Sequence, residues 1–231
     1  MTVTLQTPDL PHVRLKPKAN ARGIRHGFPW VYASDLVTDR RTRALTSGTI
    51  AVLEDDKRSP LGLVSVNPDS KIICRMLERD ISVPLNKTWF VQRLTKALRL
   101  RERLFAEPFY RLVHAEADGL PGIIIDRFGD ICVVQPNAAW AEAHLEALTD
   151  ALIETTGVTT ILKNAGGRTR TLEGLDDQSG VLHGAVPDAP VPVPMNGATY
   201  MADLTGGQKT GLFFDQRPNH AFVARLASGA R

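Results

Sequence analysis

Short apolar runs of six or seven residues recur in the first third of the chain, and each is closed by a turn signal. The runs TIAVLE, LGLVSVN and KIICRML are separated by DDKRSP and NPDS. Runs of this length, bounded by Asp, Pro, Asn and Ser, are typical of strands, whereas helices need longer periodic stretches. Residues 1–80 are therefore predicted to form a small β-rich domain in which helical signal is weak.

The next segment, residues 81–194, alternates helix and strand. Between Asn86 and Phe105 the apolar positions recur at helical spacing and the other face is strongly basic. The β runs RLVHAE, GIIIDRF and ICVVQPN follow, then a helix with Asn137 as N-cap that runs to about Thr155, and then the strand VTTILKN. This order predicts an α+β fold, in which one face of a sheet is covered by helices.

Four prolines in VPDAPVPVP predict an extended, semi-rigid stretch and a domain boundary at about residue 194. Residues 195–231 contain two predicted strands, GATYMADL and GLFFD, joined by TGGQKT, and a helix from about Arg217 to Ala227. Thirty-seven residues are too few for a core of their own. The segment either docks on the preceding one or begins an unfinished domain, and we favour the unfinished domain.

The two cysteines, Cys74 and Cys132, lie inside apolar runs without a partner at metal-ligand spacing. No apolar stretch approaches the roughly 20 residues of a membrane span, and the N-terminus lacks the apolar core of a signal peptide. We therefore expect no disulfide framework, no metal site, no membrane association and a cytoplasmic location.

Charge is spread unevenly along the chain. Eight lysines and arginines face three aspartates in the first 48 residues, which gives this end a charge of +5 against +3 for the whole chain. A basic end suits a module that contacts phosphates, although surface cations often only confer solubility. An aromatic residue amid cations suits base stacking with phosphate contact, while Trp30 fits a domain core equally well. The predicted RNA-binding residues are Arg22, Arg25, His26 and Trp30.

Two further patterns have competing interpretations. The basic helix face from Lys87 to Arg103 suits either phosphate contact or plain solvation. Glu116 and Asp118 could form an acid–base pair near His114, but Asp118 begins the turn DGLPG, where aspartate commonly accepts hydrogen bonds from its own backbone. We therefore predict a structural role for these carboxylates.

Three blocks of the chain resemble one known family. GGQKTGLFFDQRPNH, residues 206–220, resembles the GQKTGFFLDQR block of the large-subunit ribosomal RNA cytosine-C5 methyltransferases. HAEADGLPGIIIDRFGDICVVQ is similar to that family's ESDGLPGLIVDRYGD block, and RHGFPWVYASDL resembles its N-terminal PUA domain. The resemblance implies a PUA-like, RNA-binding β pseudo-barrel in residues 1–80 and a central α+β domain in residues 81–194. It also implies the opening hairpin and helix of a Rossmann-like class I methyltransferase domain in residues 195–231.

The resemblance also implies a cofactor, S-adenosylmethionine, and a partner, ribosomal RNA. Lys209 and Arg217 would then meet the methionyl carboxylate, Asp215 its ammonium, and Phe214 an apolar part of the cofactor. The alternative is an ordinary hairpin whose charged residues pair locally. The predicted cofactor-binding residues are Gln208, Lys209, Thr210, Phe214, Asp215 and Arg217.

The chain departs from the family after this block, because no glycine-rich turn follows to hold the rest of the cofactor. C5 methylation needs an exposed thiolate that attacks C6, which Cys74 and Cys132 do not supply. We therefore expect a truncated pocket, no catalytic residue, the family's nucleophilic cysteine beyond Arg231, and a chain that is inactive alone. The competing hypothesis is a non-enzymatic RNA-binding module with a PUA domain. Apolar surface exposed in the last segment would favour a homodimer.

Overall fold

The structure is a computed structural model that describes residues 10–207, 210–227 and 229. These residues form two five-stranded sheets, one two-stranded hairpin and seven helices. The strands are β1 (His12–Arg14), β2 (Trp30–Tyr32), β3 (Thr49–Glu54), β4 (Pro60–Val66), β5 (Ile72–Glu78), β6 (Phe109–His114), β7 (Ile123–Phe128), β8 (Ile131–Pro136), β9 (Thr160–Lys163), β10 (Gly180–His183), β11 (Val191–Met195) and β12 (Ala198–Ala202). The helices are α1 (Ala21–Arg25), α2 (Arg40–Arg43), α3 (Lys87–Leu104), α4 (Ala139–Ala143), α5 (Leu145–Thr156), α6 (Arg168–Leu172) and α7 (Arg217–Leu226).

No helix in the described residues is both long and apolar enough to cross a membrane. No group of three or more His, Cys, Asp or Glu side chains in them is placed to hold a metal ion.

The first sheet has the strand order β1-β3-β4-β5-β2. β1 runs parallel to β3, and the other neighbours are antiparallel. Alternate side chains such as Leu53, Val64 and Ile73 meet in one core, as the short apolar runs predict. Two short helices were not predicted; Asn20 and Asp39 cap them by accepting from the backbone N–H three residues later.

The second sheet has the order β10-β9-β8-β7-β6, and only β8 and β9 are parallel. α3 begins after Asn86, which accepts from the Trp89 N–H at 3.2 Å, as predicted. The helix predicted from Asn137 is instead two helices, α4 and α5. His144 lies outside the helical conformation, at φ −115° and ψ 18°, and its Nδ1 is 2.7 Å from the Trp140 carbonyl oxygen. The chain therefore changes direction there. The mixed α+β fold is confirmed.

The C-terminal strands differ from the prediction. β11 pairs with β12 across Asn196 and Gly197, whose φ values of 55° and 77° form the two-residue turn that Asn-Gly favours. β11 therefore lies inside the proline-rich stretch, because Pro192 and Pro194 occupy exposed positions while Val193 and Met195 are buried.

The predicted strand GLFFD is wrong. Residues Phe214–Gln216 form a 3₁₀ turn, and Phe214 packs on Phe128 with ring centroids 5.1 Å apart. Burying this ring on the central sheet requires the chain to turn rather than continue in an extended conformation. The last helix, α7, is confirmed.

The C-terminal segment docks on the central sheet, contrary to the unfinished domain that we favoured. Along β8, Cys132 and Val134 face the core under α3 and α5, whereas Val133 faces a core with Val193 and Met195. Because successive strand residues point to opposite faces, helices cover one face of this sheet and the hairpin covers the other. The hairpin face that carries Val193 and Met195 is thus buried within the chain, whereas Met201 on β12 is 60% exposed.

A polar contact fixes the segment after the hairpin. The carboxylate of Asp126 on β7 is fully buried and accepts two hydrogen bonds from Arg111, from Nε at 2.9 Å and from Nη2 at 3.0 Å. Thr210 Oγ1 donates to the same carboxylate at 2.5 Å. A buried carboxylate needs such donors because burial removes its hydrogen bonds with water.

Thr210→Val should therefore lower the free energy of unfolding by about 1–2 kcal/mol, because it removes a donor to a buried charged acceptor. Urea unfolding followed by circular dichroism measures this change. Thr199→Val, at an exposed position of β12, is the matched control and should have little effect. Equal losses in both variants would contradict the role given to the Thr210 hydroxyl.

Candidate RNA interface and cofactor segment

Helix α1 brings three of the predicted RNA-binding residues together on the surface. Arg79 holds this helix because its guanidinium donates to the carbonyl oxygens of Ile24, at 3.1 Å, and Arg25, at 2.5 Å. Arg22 and Arg25 lie in the helix, His26 follows at its C-cap, and all three side chains are exposed. The structure therefore brings Arg22, Arg25 and His26 together, which are three of the four residues predicted to bind RNA.

The cations of the cluster are not equally available. Arg25, with 48% of its side chain exposed, forms an ion pair with Asp55. A hydrogen bond from the Ser59 N–H, helped by the Arg25 guanidinium, holds the pKa of Asp55 below its usual value against the opposing effect of burial. Arg22 forms no ion pair among the described residues. Arg22 is thus the cation most available to a phosphate.

Trp30 has a different role from the one predicted. Its Nε1 donates to Glu116 Oε1 at 2.8 Å, which ties β2 to the central domain. Phe28, which precedes β2, and Tyr32, on β2, are 41% and 39% exposed, and the Phe28 ring centroid lies 6.3 Å from that of Trp30. The prediction missed these two rings. They, rather than Trp30, offer exposed rings for base stacking.

The Glu116 carboxylate belongs to a network between the two domains. Arg75 donates to Glu116 from Nη1 at 3.0 Å and to Glu173 from Nη2 at 3.2 Å. Asn67 Nδ2 donates to the other oxygen of Glu173 at 2.9 Å. Side-chain exposures of 13% for Arg75 and 5% for Glu173 place this network largely out of water.

Asp118 is also held by protein groups. Arg101 donates to both of its oxygens at 2.7 Å, and the His114 N–H donates to one of them at 2.7 Å. Glu116 and Asp118 therefore have the structural roles predicted for them.

A second junction follows at the end of β5. Glu78 accepts from Trp89 Nε1 at 3.0 Å and from Arg93 Nη2 at 2.6 Å, and both donors lie on α3. Partial burial alone would raise the pKa of Glu78, but hydrogen bonds from Trp89 and from backbone N–H groups, with the Arg93 charge, hold it below its usual value. The ionised carboxylate thus attaches α3 to the first domain.

The glycine-rich block packs against itself. A Cβ atom on Gly207 would lie 2.2 Å from the Asp203 carbonyl oxygen, and one on Gly211 would lie 2.6 Å from it. Asp203 also accepts from the Gly206 N–H at 2.8 Å. These glycines therefore allow a tight loop rather than the predicted close approach to a ligand.

The predicted cofactor residues fall into three groups. Gln208 and Lys209 lie outside the described residues. Thr210 and Phe214 are buried, and they contact Asp126 and Phe128 rather than a cavity. Their predicted contact with a cofactor is corrected to a structural role. The Thr210 hydroxyl is hydrogen-bonded to the central sheet, and the Phe214 ring packs on it. Asp215 is exposed.

Arg217 is the predicted residue that lines a cavity, which has a volume of about 660 Å³ between the end of α3 and the tip of the hairpin. Its Nη2 donates to the Phe109 carbonyl oxygen at 2.9 Å, and its guanidinium lies 4.7 Å from the Phe105 ring centroid. Its Nε is buried without a partner, and burial lowers the pKa of Arg217. The Arg217 guanidinium thus forms part of the cavity wall, with its Nε shielded from solvent.

Neither cysteine fits a nucleophile. Cys74 and Cys132 are fully buried. Burial raises the pKa of the Cys74 thiol far above its usual value and that of Cys132 to about 12. Both thiols are therefore protonated and inaccessible at neutral pH.

Residues 13–79 match the PUA-like domain family. The chain is also similar to curated proteins named "Ribosomal RNA large subunit methyltransferase I". It is 33% identical to the Shewanella denitrificans protein over 220 residues and 34% identical to the Alteromonas mediterranea protein over 222 residues. Each match covers 94% of this chain and 55% of the relative, so the chain spans about half the length of these relatives.

Solved structures agree on the fold. A Streptococcus mutans protein described as a SAM-dependent methyltransferase matches 96% of this chain and 55% of its own, with a TM-score of 0.77 and 18% identity. A second structure, described as a methyltransferase complexed with SAH, matches 92% of this chain and 53% of its own, with a TM-score of 0.75.

The expectation that the last segment is an unfinished piece is corrected, because this segment packs on the central sheet.

The junction at Glu78 predicts a dependence of stability on pH. Because its pKa is lower in the folded than in the unfolded chain, Glu78 contributes stability above the unfolded value of about 4.5 and loses it as the pH falls through the folded value. Glu78→Gln should therefore destabilise the protein at pH 7, and the difference from the unsubstituted protein should shrink below about pH 4. Urea midpoints measured from pH 7 to pH 3 test this. A difference that is independent of pH would contradict it.

Proposed function

We propose that the chain is the RNA-placing part of a SAM-dependent ribosomal RNA methyltransferase. The observation that carries this proposal is the match of 94% of the chain to proteins of that name, at 33–34% identity. The PUA-like domain at residues 13–79 supports it independently, because such domains are small RNA-binding modules. With ribosomal RNA as the substrate, the protein works in the cytoplasm.

The finer proposal is that the methyl group goes to C5 of a cytosine in the large-subunit RNA. It is supported by the resemblance of GGQKTGLFFDQRPNH to the block of the cytosine-C5 family. This reaction requires a thiolate that adds to C6 and so makes C5 nucleophilic. Neither buried cysteine can act in this way, so we propose that these 231 residues alone do not transfer the methyl group.

The described residues fit one end of S-adenosylmethionine, whose sulfonium-bound methyl is the group that such enzymes transfer. Arg217 lines a cavity large enough for a small molecule. Asp215, two residues earlier, presents an exposed carboxylate. We propose that Arg217 binds the methionyl carboxylate and Asp215 the ammonium, with roles for Gln208 and Lys209 remaining predictions.

The alternative function is a non-enzymatic RNA-binding module. It is favoured by the burial of both cysteines and by the inward orientation of Thr210 and Phe214. The predicted homodimer remains a prediction in either case.

Methyl transfer distinguishes the two functions. The protein as the cell makes it, incubated with tritium-labelled S-adenosylmethionine and ribosomal RNA from a strain lacking the gene, should incorporate label into the large-subunit RNA. After digestion to nucleosides the label should migrate with 5-methylcytidine. No incorporation would overturn the methyltransferase proposal, and label in another nucleoside would overturn the C5 assignment alone.

Calorimetry with S-adenosylhomocysteine tests the cofactor residues. The 231-residue chain should bind it weakly, with a dissociation constant of about 1 mM, because it contacts only the methionyl end. Arg217→Gln should abolish this binding, whereas Arg225→Gln, at an exposed position of α7, should preserve it. A dissociation constant below about 10 μM would contradict the partial site, and no binding at all would favour the alternative function.

A further inference from the structure

Helix α3 carries six cations and one acid, Glu102. Half of these cations are neutralised by carboxylates of neighbouring elements. The pairs are Lys87 with Glu154 at 2.8 Å, Arg93 with Glu78 at 2.6 Å, and Arg101 with Asp118 at 2.7 Å. The basic face predicted from the sequence is therefore partly structural.

The other three cations, Lys96, Arg99 and Arg103, are exposed and form no ion pair or hydrogen bond within the described residues. At 3.6 residues per turn they lie within an arc of about 60° on the helix surface. This arc is opposite the buried side chains Phe90 and Leu94. The three form a strip about 10 Å long on the solvent face.

Plain solvation explains this strip poorly. Lys96, Arg99 and Arg103 stand at i, i+3 and i+7, so like charges are neighbours, which costs a few tenths of a kcal/mol per pair in an isolated helix. Glu102 lies beside them but pairs with none of them in this structure. An anionic partner along the strip would remove that repulsion.

The helix that carries the strip and the helix that carries the predicted RNA-binding cluster, α1, are held by neighbouring residues at the end of β5. Glu78 binds Trp89 and Arg93 of α3, while the next residue, Arg79, binds the last carbonyl groups of α1. One short segment at the end of β5 therefore sets the positions of both cationic helices. Arg93, which Glu78 binds, lies about 15 Å from Arg103 along α3.

We propose that Lys96, Arg99 and Arg103 form a second RNA-binding surface, which binds the sugar–phosphate backbone of the RNA that the PUA-like domain engages. This inference rests on the proposed function, since it takes the partner to be RNA. The strip makes no base-specific contact and fixes the course of the RNA across the central domain.

The test compares variants in their binding of fluorescently labelled large-subunit ribosomal RNA as a function of salt. Each phosphate contact to single-stranded RNA contributes about 0.7 to the slope of log K against log salt. K96Q/R99Q/R103Q should therefore lower the magnitude of the slope by about 2 and weaken binding by about tenfold at low salt. R99Q alone should lower it by about 0.7. Glutamine preserves helix propensity, so circular dichroism should be unchanged.

K87Q is the matched control, because it removes one charge from the same helix but from a residue paired with Glu154. It should leave the slope unchanged. If the slope falls equally in K87Q and R99Q, the effect on binding is one of net charge alone, and the proposal that the strip binds RNA is overturned.

R22Q/R25Q separates the strip from the proposed function. Suppose that the unsubstituted protein binds RNA, and that R22Q/R25Q weakens this binding while the triple variant does not. The proposal for the strip is then overturned and the proposed function stands. An acidic protein would in that case be the better partner for α3. If the unsubstituted protein does not bind RNA, the proposed function itself fails.

Discussion

One of the two junctions between the domains is centred on a single guanidinium. Arg75, on the strand that ends the first domain, is shared by Glu116 and Glu173 of the second, so two carboxylates meet one cation in a place with little water. Such an arrangement is stable only if neutral donors satisfy the remaining lone pairs. Trp30 and Asn67 supply those donors. The Trp30 indole thus helps to hold the domains together.

This constraint determines which cationic groups have no carboxylate partner among the described residues. Trp30, Arg93 and Arg101 bind carboxylates within the protein, whereas Arg22 and the cations at residues 96, 99 and 103 of α3 do not. A sequence shows the number of cations, but only the fold shows which of them have partners. These cations lie on helices held by Glu78, the last residue of β5, and by Arg79, which follows it. The first domain and the central domain can therefore present them together.

Much of the fold could be predicted from the sequence because the signals are local. Asn86 ends an extended segment and caps α3, and the alternating runs form the strands of both sheets. Strand β11 was missed because the prolines suggested a linker, although the Asn-Gly pair at residue 196 was the stronger signal. The inward orientation of Thr210 could not be predicted, since it depends on Asp126, which is 84 residues away in the chain. The glycine block looked like a ligand-binding loop for a similar reason, because its packing against the Asp203 carbonyl group is invisible in the sequence.

The prolines of β11 have a consequence for how this surface meets other chains. In an antiparallel pair, alternate residues direct their N–H groups toward the partner strand or away from it. Val191, Val193 and Met195 supply the donors for pairing with β12, so Pro192 and Pro194 occupy the outward positions and leave that side of the strand without N–H groups. A strand presented by another molecule would find acceptors there but no donors, which is one way in which natural sheets resist edge-to-edge aggregation. The hairpin can therefore remain exposed along one side without acting as a template for intermolecular β-sheet.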